Sequence, residues 1–258
     1  LTPKESAVTI EKYDWSPKRR SSSALSVYLL GTVDFRSAVF LQERIVGEVQ
    51  ERSDISGSLI LCEHPRVVTI GHGGSQIDLP AEPRELQAQL LKVERVDRGG
   101  PTLVHAPGQL AVYPIVPMER LGIDQDMLER VLQETALAVC EELKVVAEAD
   151  KVDRGIWSRC GKIGFCGLKN LGGVSCHGFF LNVCPDMTLL RAVESARPKN
   201  QIGSLVAQCT RPIAMQTVRE SFIRNLTQRL GYNDFNVFSS HPLLRRERRP
   251  SNDLATNH

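Results

Sequence analysis

The sequence predicts an α+β fold, a mixed or antiparallel sheet flanked by helices and built as one domain. Three observations carry this expectation. Strand-like segments outnumber helical ones and arrive in adjacent groups, without strict βαβ alternation. Two long segments repeat apolar residues at helical spacing. No stretch rich in Pro, Gly or Ser divides the chain, and no internal repeat is visible.

In order, residues 1–23, with Lys18-Arg19-Arg20 and Ser21-Ser22-Ser23, read as a flexible leader. The domain is expected over 24–238, and 239–258, with Arg245, Arg246, Arg248 and Arg249, as a basic and polar tail. Residues 24–30 form an apolar, β-compatible run ended by Gly31. Asp34 then caps a helix by accepting a free first-turn amide, and Ala38, Leu41, Ile45 and Val49 supply its apolar face. Residues 58–62 and 67–70 read as short strands, followed by the turn Gly71-His72-Gly73-Gly74. A short helix is expected over 84–91, strands over 93–96 and 103–105, and a further strand over 110–116 after the Pro107-Gly108 turn. The best helical pattern covers 125–143, with Leu128, Val131, Leu132, Val139 and Leu143 on one face. Strands follow over 155–158, 163–168 and 175–183, then a second amphipathic helix over 215–230.

Composition narrows the function. The 258 residues are 41% hydrophobic and 24% charged, ordinary for a globular protein. A net charge of +2 gives no concentrated basic surface for nucleic acid. No window approaches the ~18–20 apolar residues of a membrane span. No secretory signal is visible in the leader, and seven cysteines, an odd number, suit reduced thiols in the cytoplasm. The absence of any CxxC pair argues against a paired-cysteine zinc site, and neither metal nor cofactor is expected.

Three segments place polar or glycine residues where a plain sheet would carry apolar ones. In the first, 98–109, Arg98 can pair with an anion, Gly99 and Gly100 let backbone approach a ligand, and His105 stands just before a turn. Taken alone, it also reads as a tight turn with a structural histidine. In the second, 161–168, Lys162 sits beside a turn and the chain then dives inward through Ile163, Phe165 and Leu168. Desolvation and neighbouring cations make such a lysine a usable base. In the third, 175–183, His177 and Asn182 interrupt an apolar strand. Alternation puts Cys176 and Asn182 on one face and His177 on the other, so Cys176 and His177 do not pair within it. A satisfied core histidine is the plain reading of His177.

Taken together the segments are more specific. The order runs Leu61-Cys-Glu-His-Pro65 with Thr69-Ile-Gly71, Arg98-Gly-Gly100, and His105-x-Pro-Gly-Gln109 with Tyr113-Pro114. Gly161-Lys-Ile163 with Gly167-Leu168, and His177-Gly178 with Asn182-Val183, complete it. Over about residues 25–231 this resembles the octanoyltransferase (lipoyl/octanoyl-protein transferase B) family of the biotin/lipoate protein ligase superfamily. The resemblance implies a single catalytic domain with a mixed sheet around an acyl-binding tunnel. It also implies octanoyl transfer from acyl carrier protein to a lysine of a lipoyl domain, in 2-oxoacid dehydrogenases or the glycine cleavage H protein. Lys162 matches the family's proton-moving lysine. Arg98, Gly99, Gly100, His105, Gly108 and Gln109 match its pocket loop, Gly164 and Gly167 lie beside the lysine, and His177, Gly178 and Asn182 match the pocket strand.

The family's thioester-forming cysteine has no counterpart. In the corresponding stretch, Ala192-Val-Glu-Ser-Ala-Arg-Pro-Lys-Asn200, Ala196 or a neighbour takes its place. An alanine cannot form a thioester. Four readings follow: transfer through a relocated thiol, with Cys176 and Cys166 as candidates; direct transfer with Lys162 as base; a catalytically inactive acyl- or carrier-binding homologue; or ATP-dependent lipoate ligase-like chemistry.

Overall fold

The architecture follows from where each apolar face finds cover. A computed structural model describes residues 24–74, 92–150, 154–188, 190, 201–209 and 211–244. Strand β1 (Ala24–Thr32) leads into helix α1 (Phe35–Glu51), which starts where the Asp34 carboxylate accepts the Ser37 N–H at 3.1 Å. The helix returns the chain to β2 (Gly57–Glu63), parallel to β1. Strands β3 (Val67–Ile70), β4 (Lys92–Arg95) and β5 (Thr102–His105) form a separate sheet in the order β4-β3-β5.

The chain re-enters the main sheet with β6 (Gln109–Ile115) and continues through the short α2 (Met118–Leu121) and the long α3 (Gln125–Glu142). Strands β7 (Ala147–Ala149), β8 (Ile156–Ser158) and β9 (Gly161–Cys166) build one flank of that sheet. A small hairpin, β10 (Lys169–Leu171) and β11 (Val174–Cys176), precedes β12 (Phe179–Asn182). Helix α4 (Met215–Leu230) and edge strand β13 (Asp234–Phe238) complete the described elements. The main sheet is mixed, eight-stranded, in the order β13-β1-β2-β6-β12-β9-β8-β7.

One face of this sheet is covered by α3 and α4. Leu128, Leu132, Phe222 and Leu226 pack there with Leu59, Val112, Phe179 and Leu181. On the other face Leu41, Ile45 and Val49 of α1 pack with Ile60, Tyr113, Phe165 and Phe180, joined by Leu103 of β5. Full burial of each such side chain contributes about 1.5–3 kcal/mol, so the sheet is fixed from both sides. The second face, flanked by the small sheet, carries the polar residues described below.

The expected mixed sheet with flanking helices is the observed fold, and the three long helices fall where the spacing places them. Several local expectations are corrected. Residues 175–183 are not one strand: His177 adopts φ +58 and the chain breaks there. Gly178 follows because a Cβ at that position would collide with the Val112 carbonyl. Lys162 lies inside β9, whereas a position outside the strand was expected. Strands β7, β10 and β13 were not anticipated. The expected helix over 84–91, the leader and residues 245–258 lie outside the described residues. All seven cysteines are unpaired. Among the described residues no helix is long and apolar enough to cross a membrane, and no group of three or more His, Cys, Asp or Glu could hold a metal ion.

Candidate active site

A directional chain of hydrogen bonds links five segments beneath the second face of the sheet. Arg98 is fully buried. Its guanidinium donates to the Thr69 hydroxyl at 2.6 Å, the Thr69 carbonyl at 3.1 Å and the Gly99 carbonyl at 2.8 Å. The Thr69 hydroxyl meets His105 Nε2 at 2.8 Å, and His105 Nδ1 meets Gln109 Oε1 at 2.8 Å. An amide oxygen only accepts, so Nδ1 carries the proton and Nε2 accepts from Thr69. Gln109 Nε2 then donates to Asn182 Oδ1 at 2.9 Å, and Asn182 Nδ2 to the Gly203 carbonyl at 3.0 Å. Finally the Gly203 N–H donates to the Lys162 carbonyl at 2.9 Å. Every donor in the series points from Arg98 toward β9.

Burial sets the protonation states. Desolvation pushes Arg98 down to about 10, which leaves it a cation at neutral pH. His105 is held well below its usual value by desolvation, then by His64 and Arg98. His64 donates from Nδ1 to the Val33 carbonyl at 2.8 Å and takes the Tyr113 hydroxyl on Nε2 at 2.6 Å. Its own burial lowers it to about 4. Phe35 and Phe180 pack on His105 with ring centroids 5.0 and 4.6 Å away, and complete an aromatic wall.

Lys162 is only 5% exposed. Its Nζ lies 5.0 Å from the Phe165 ring centroid and 5.9 Å from that of Trp157. The lysine amine is therefore held in an aromatic setting, while the polar chain ends on the backbone carbonyl of the same residue. It can exchange protons with a group brought to the Phe165–Phe180 side of the sheet, and the apolar rings there suit an alkyl chain.

The glycines expected to open backbone to a ligand do something else. Gly99 donates its N–H to the Leu168 carbonyl at 3.2 Å, and a Cβ on Gly100 would lie 2.6 Å from the Cys166 carbonyl. Gly167 closes the same contact against Gly99 and Arg98. The doubled glycine thus packs the Arg98 loop onto the segment after β9. Gly164 faces Ile156 and Phe179. Gly108, at φ +90, accepts the N–H groups of Val183 and Cys184 and donates to Glu63 Oε2 at 2.8 Å. His177 does not join the chain: its N–H donates to Gln42 Oε1 at 2.7 Å, its Nδ1 has no partner among the described residues, and burial lowers it to about 4.

Neither candidate thiol sits as a nucleophile should. Cys166 belongs to the cluster under α3 and α4, on the far side from Phe165, and burial pushes it up to about 12. Cys176 is buried against Gln42 at 3.7 Å, with its thiol raised to about 11, again chiefly by desolvation. A thiol held protonated by an apolar setting is a poor nucleophile. The stretch 192–200, where the family cysteine would fall, lies outside the described residues. Thr69, Gly203 and Trp157 complete the site and were not singled out from the sequence as site residues. Thr69 had a signal, in its motif with Gly71, whereas the backbone of Gly203 had none.

The fold and this buried polar chain define an α+β domain of the lipoate-ligase type. Lipoate-protein ligase A bound with ATP superposes with a TM-score of 0.69 at 17% identity, covering 85% of this chain and 90% of that one. A bi-partite lipoate protein ligase from Thermoplasma acidophilum, described with its E2 lipoyl domain, gives 0.64 at 16% identity, over 86% and 89%. These likenesses establish the fold.

Sequence carries the assignment further. The model of the lipoyl protein ligase A/B catalytic domain matches residues 34–227, and the chain belongs to that family. It is 31% identical to an octanoyltransferase of Chloroflexus aggregans over 219 residues, 83% of this chain and 99% of the relative. An octanoyltransferase of Roseiflexus sp. is 33% identical over 209 residues, 78% and 85% of the two chains. The octanoyl transfer expected from the sequence is the activity for which these relatives are named.

Proposed function

We propose that the protein is an octanoyltransferase that moves an octanoyl group from the thioester of acyl carrier protein to a lysine amine of a lipoyl domain in the cytoplasm. The observation that carries this reading is the buried Lys162, its amine near the Phe165 and Trp157 rings and its backbone carbonyl the last acceptor of the chain that starts at Arg98. The aromatic wall offers cover for the alkyl chain, at about 0.8 kcal/mol per buried methylene. The relatives' names support the octanoyl group. The E2 lipoyl domain described with the Thermoplasma ligase supports a lipoyl-domain acceptor.

The burial of Cys166 and Cys176 favours direct transfer. The acceptor amine attacks the thioester carbonyl carbon, a C–N bond forms, and the C–S bond breaks to release the carrier thiolate. Lys162 takes the proton lost by the attacking nitrogen and passes it to the departing sulfur. General-base help of this kind contributes roughly 10²–10⁴ in rate. The polar chain itself does not react; it fixes β5, β6 and β12 so that Lys162 and the aromatic wall keep one geometry.

Mixing the protein with octanoyl-acyl carrier protein and apo lipoyl domain, without ATP, tests the reading by intact mass. The acceptor should gain one octanoyl amide that resists hydroxylamine, with no adduct on the enzyme. Binding of the carrier without turnover would instead indicate the inactive homologue. Product formed only from octanoate plus ATP, with pyrophosphate release, would indicate ligase chemistry.

A further inference from the structure

The end of the Lys162 side chain rests on one end of a loop whose two ends are bonded to helix α3. The loop joins β7 to β8, and its ends, Asp150 and Gly155, are tied by an Asp150 N–H to Gly155 carbonyl bond of 2.9 Å. Gln133, buried on α3, reaches both ends. Its Nε2 donates to the Gly155 carbonyl at 2.6 Å and to the Asp150 carbonyl at 2.7 Å. Two turns earlier on the same helix, Asp126 ion-pairs with Arg154, which adopts φ +55, a strained conformation for a residue with a Cβ. Trp157, whose indole stands near the Lys162 amine, donates from Nε1 to Asp150 Oδ2 at 3.1 Å.

Gly155 is the contact point. The end of the lysine side chain lies directly over this glycine. A Cβ there would lie 2.9 Å from Nζ, closer still to Cε, and 2.7 Å from the Gly164 carbonyl. Gly155 thus forms a flat seat for the end of the lysine side chain, and its height relative to β9 depends on where α3 holds the loop. Two anchors from one helix, Gln133 on the carbonyls and Asp126 on Arg154, bear on adjacent residues 154 and 155.

We propose that Gln133 is a positioning residue for Lys162, acting through Gly155, with the Asp126–Arg154 pair as its second anchor. The proposal rests on Lys162 being the proton-transferring group. Gln133 donates both of its amide hydrogens to the two ends of the loop. Without it the Asp150 and Gly155 carbonyls lose a donor, Gly155 shifts, and the amine resting on it moves relative to the Phe165–Phe180 side. Displacements of about 1 Å at a reacting group cost on the order of 100-fold in rate.

Steady-state octanoyl transfer by Gln133→Leu and Asp126→Asn tests this, with Lys162→Ala and the double variant Gln133→Leu/Lys162→Ala alongside. For Gln133→Leu, kcat should fall about 30- to 100-fold with KM for the carrier substrate unchanged within twofold. Asp126→Asn should fall in the same direction by less. In the Lys162→Ala background, Gln133→Leu should change the residual rate by less than twofold, because its effect runs through the missing amine. A purely structural role would instead lower the rate of both backgrounds equally, and that result would overturn the proposal. So would a wild-type kcat in folded Gln133→Leu. If Gln133→Leu does not fold, Asp126→Asn decides alone, through the same pairing with Lys162→Ala. Full activity in Lys162→Ala would count against the base, a separate failure visible before the positioning question arises.

Discussion

Lowering the pH from 7 to 5 should cost this protein about 4 kcal/mol of folding stability through two buried histidines. His64 and His177 are each lowered from 6.5 to about 4, both chiefly by desolvation. At pH 7 the imidazoles are mostly neutral in both the folded and unfolded chain, so the stability they allow is present in full. At pH 5 the unfolded chain binds a proton at each and the folded chain does not, which favours unfolding by about 2 kcal/mol per histidine. His105, also depressed, acts in the same direction. The window runs from about pH 6.5 down to about pH 4. Urea unfolding followed at both pH values measures the loss. His177→Asn isolates one contribution, because Asn tolerates the left-handed φ of +58 and does not titrate. This variant should lose about 2 kcal/mol less between pH 7 and pH 5 than the wild type. Equal stability at the two pH values, or an unchanged slope in His177→Asn, would refute the reasoning.

Thr69→Val removes the hydroxyl that joins Arg98 to His105 and leaves buried donors of a cation without that acceptor. It should destabilise the fold by about 2–4 kcal/mol in denaturant titration and lower transfer. Cys166→Ala and Cys176→Ala should each retain octanoyl transfer within threefold in a rate assay, since burial keeps both thiols protonated. Asp34→Ala should cost about 1 kcal/mol by thermal unfolding through loss of the α1 cap.

Periodicity made the helices legible. Asp34 followed by Ala38, Leu41, Ile45 and Val49 announces α1, and the apolar stripe of Leu128, Leu132 and Val139 announces α3. The short strands that were missed lack such a signal. In β13 every residue is exposed, so no buried face marks it, and β7 and β10 are three-residue pieces whose pairing is decided by neighbours. The break at His177 was hidden because its cause, the approach of Gly178 to the Val112 carbonyl, is a contact between strands.

The site was readable as a set of residue types and much less as a geometry. Alternation assigns a face to Asn182 and cannot name Gln109 as its partner, because they meet only through the β6–β12 register. The paired glycines after Arg98 suggested an open loop. Their neighbours are the carbonyls of Cys166 and Leu168, which no local pattern reveals. Gln133 is a further case: helical spacing puts it largely off the apolar face, and its burial makes sense only through the Asp150 and Gly155 carbonyls that it meets.

Single-turnover transfer from octanoyl-acyl carrier protein to apo lipoyl domain, wild type against Lys162→Ala, tests the central claim most directly. The account predicts a rate loss of roughly 10²–10⁴ in a variant that keeps its fold and still binds the carrier. A Lys162→Ala protein that acylates the lipoyl domain as fast as the wild type would contradict it.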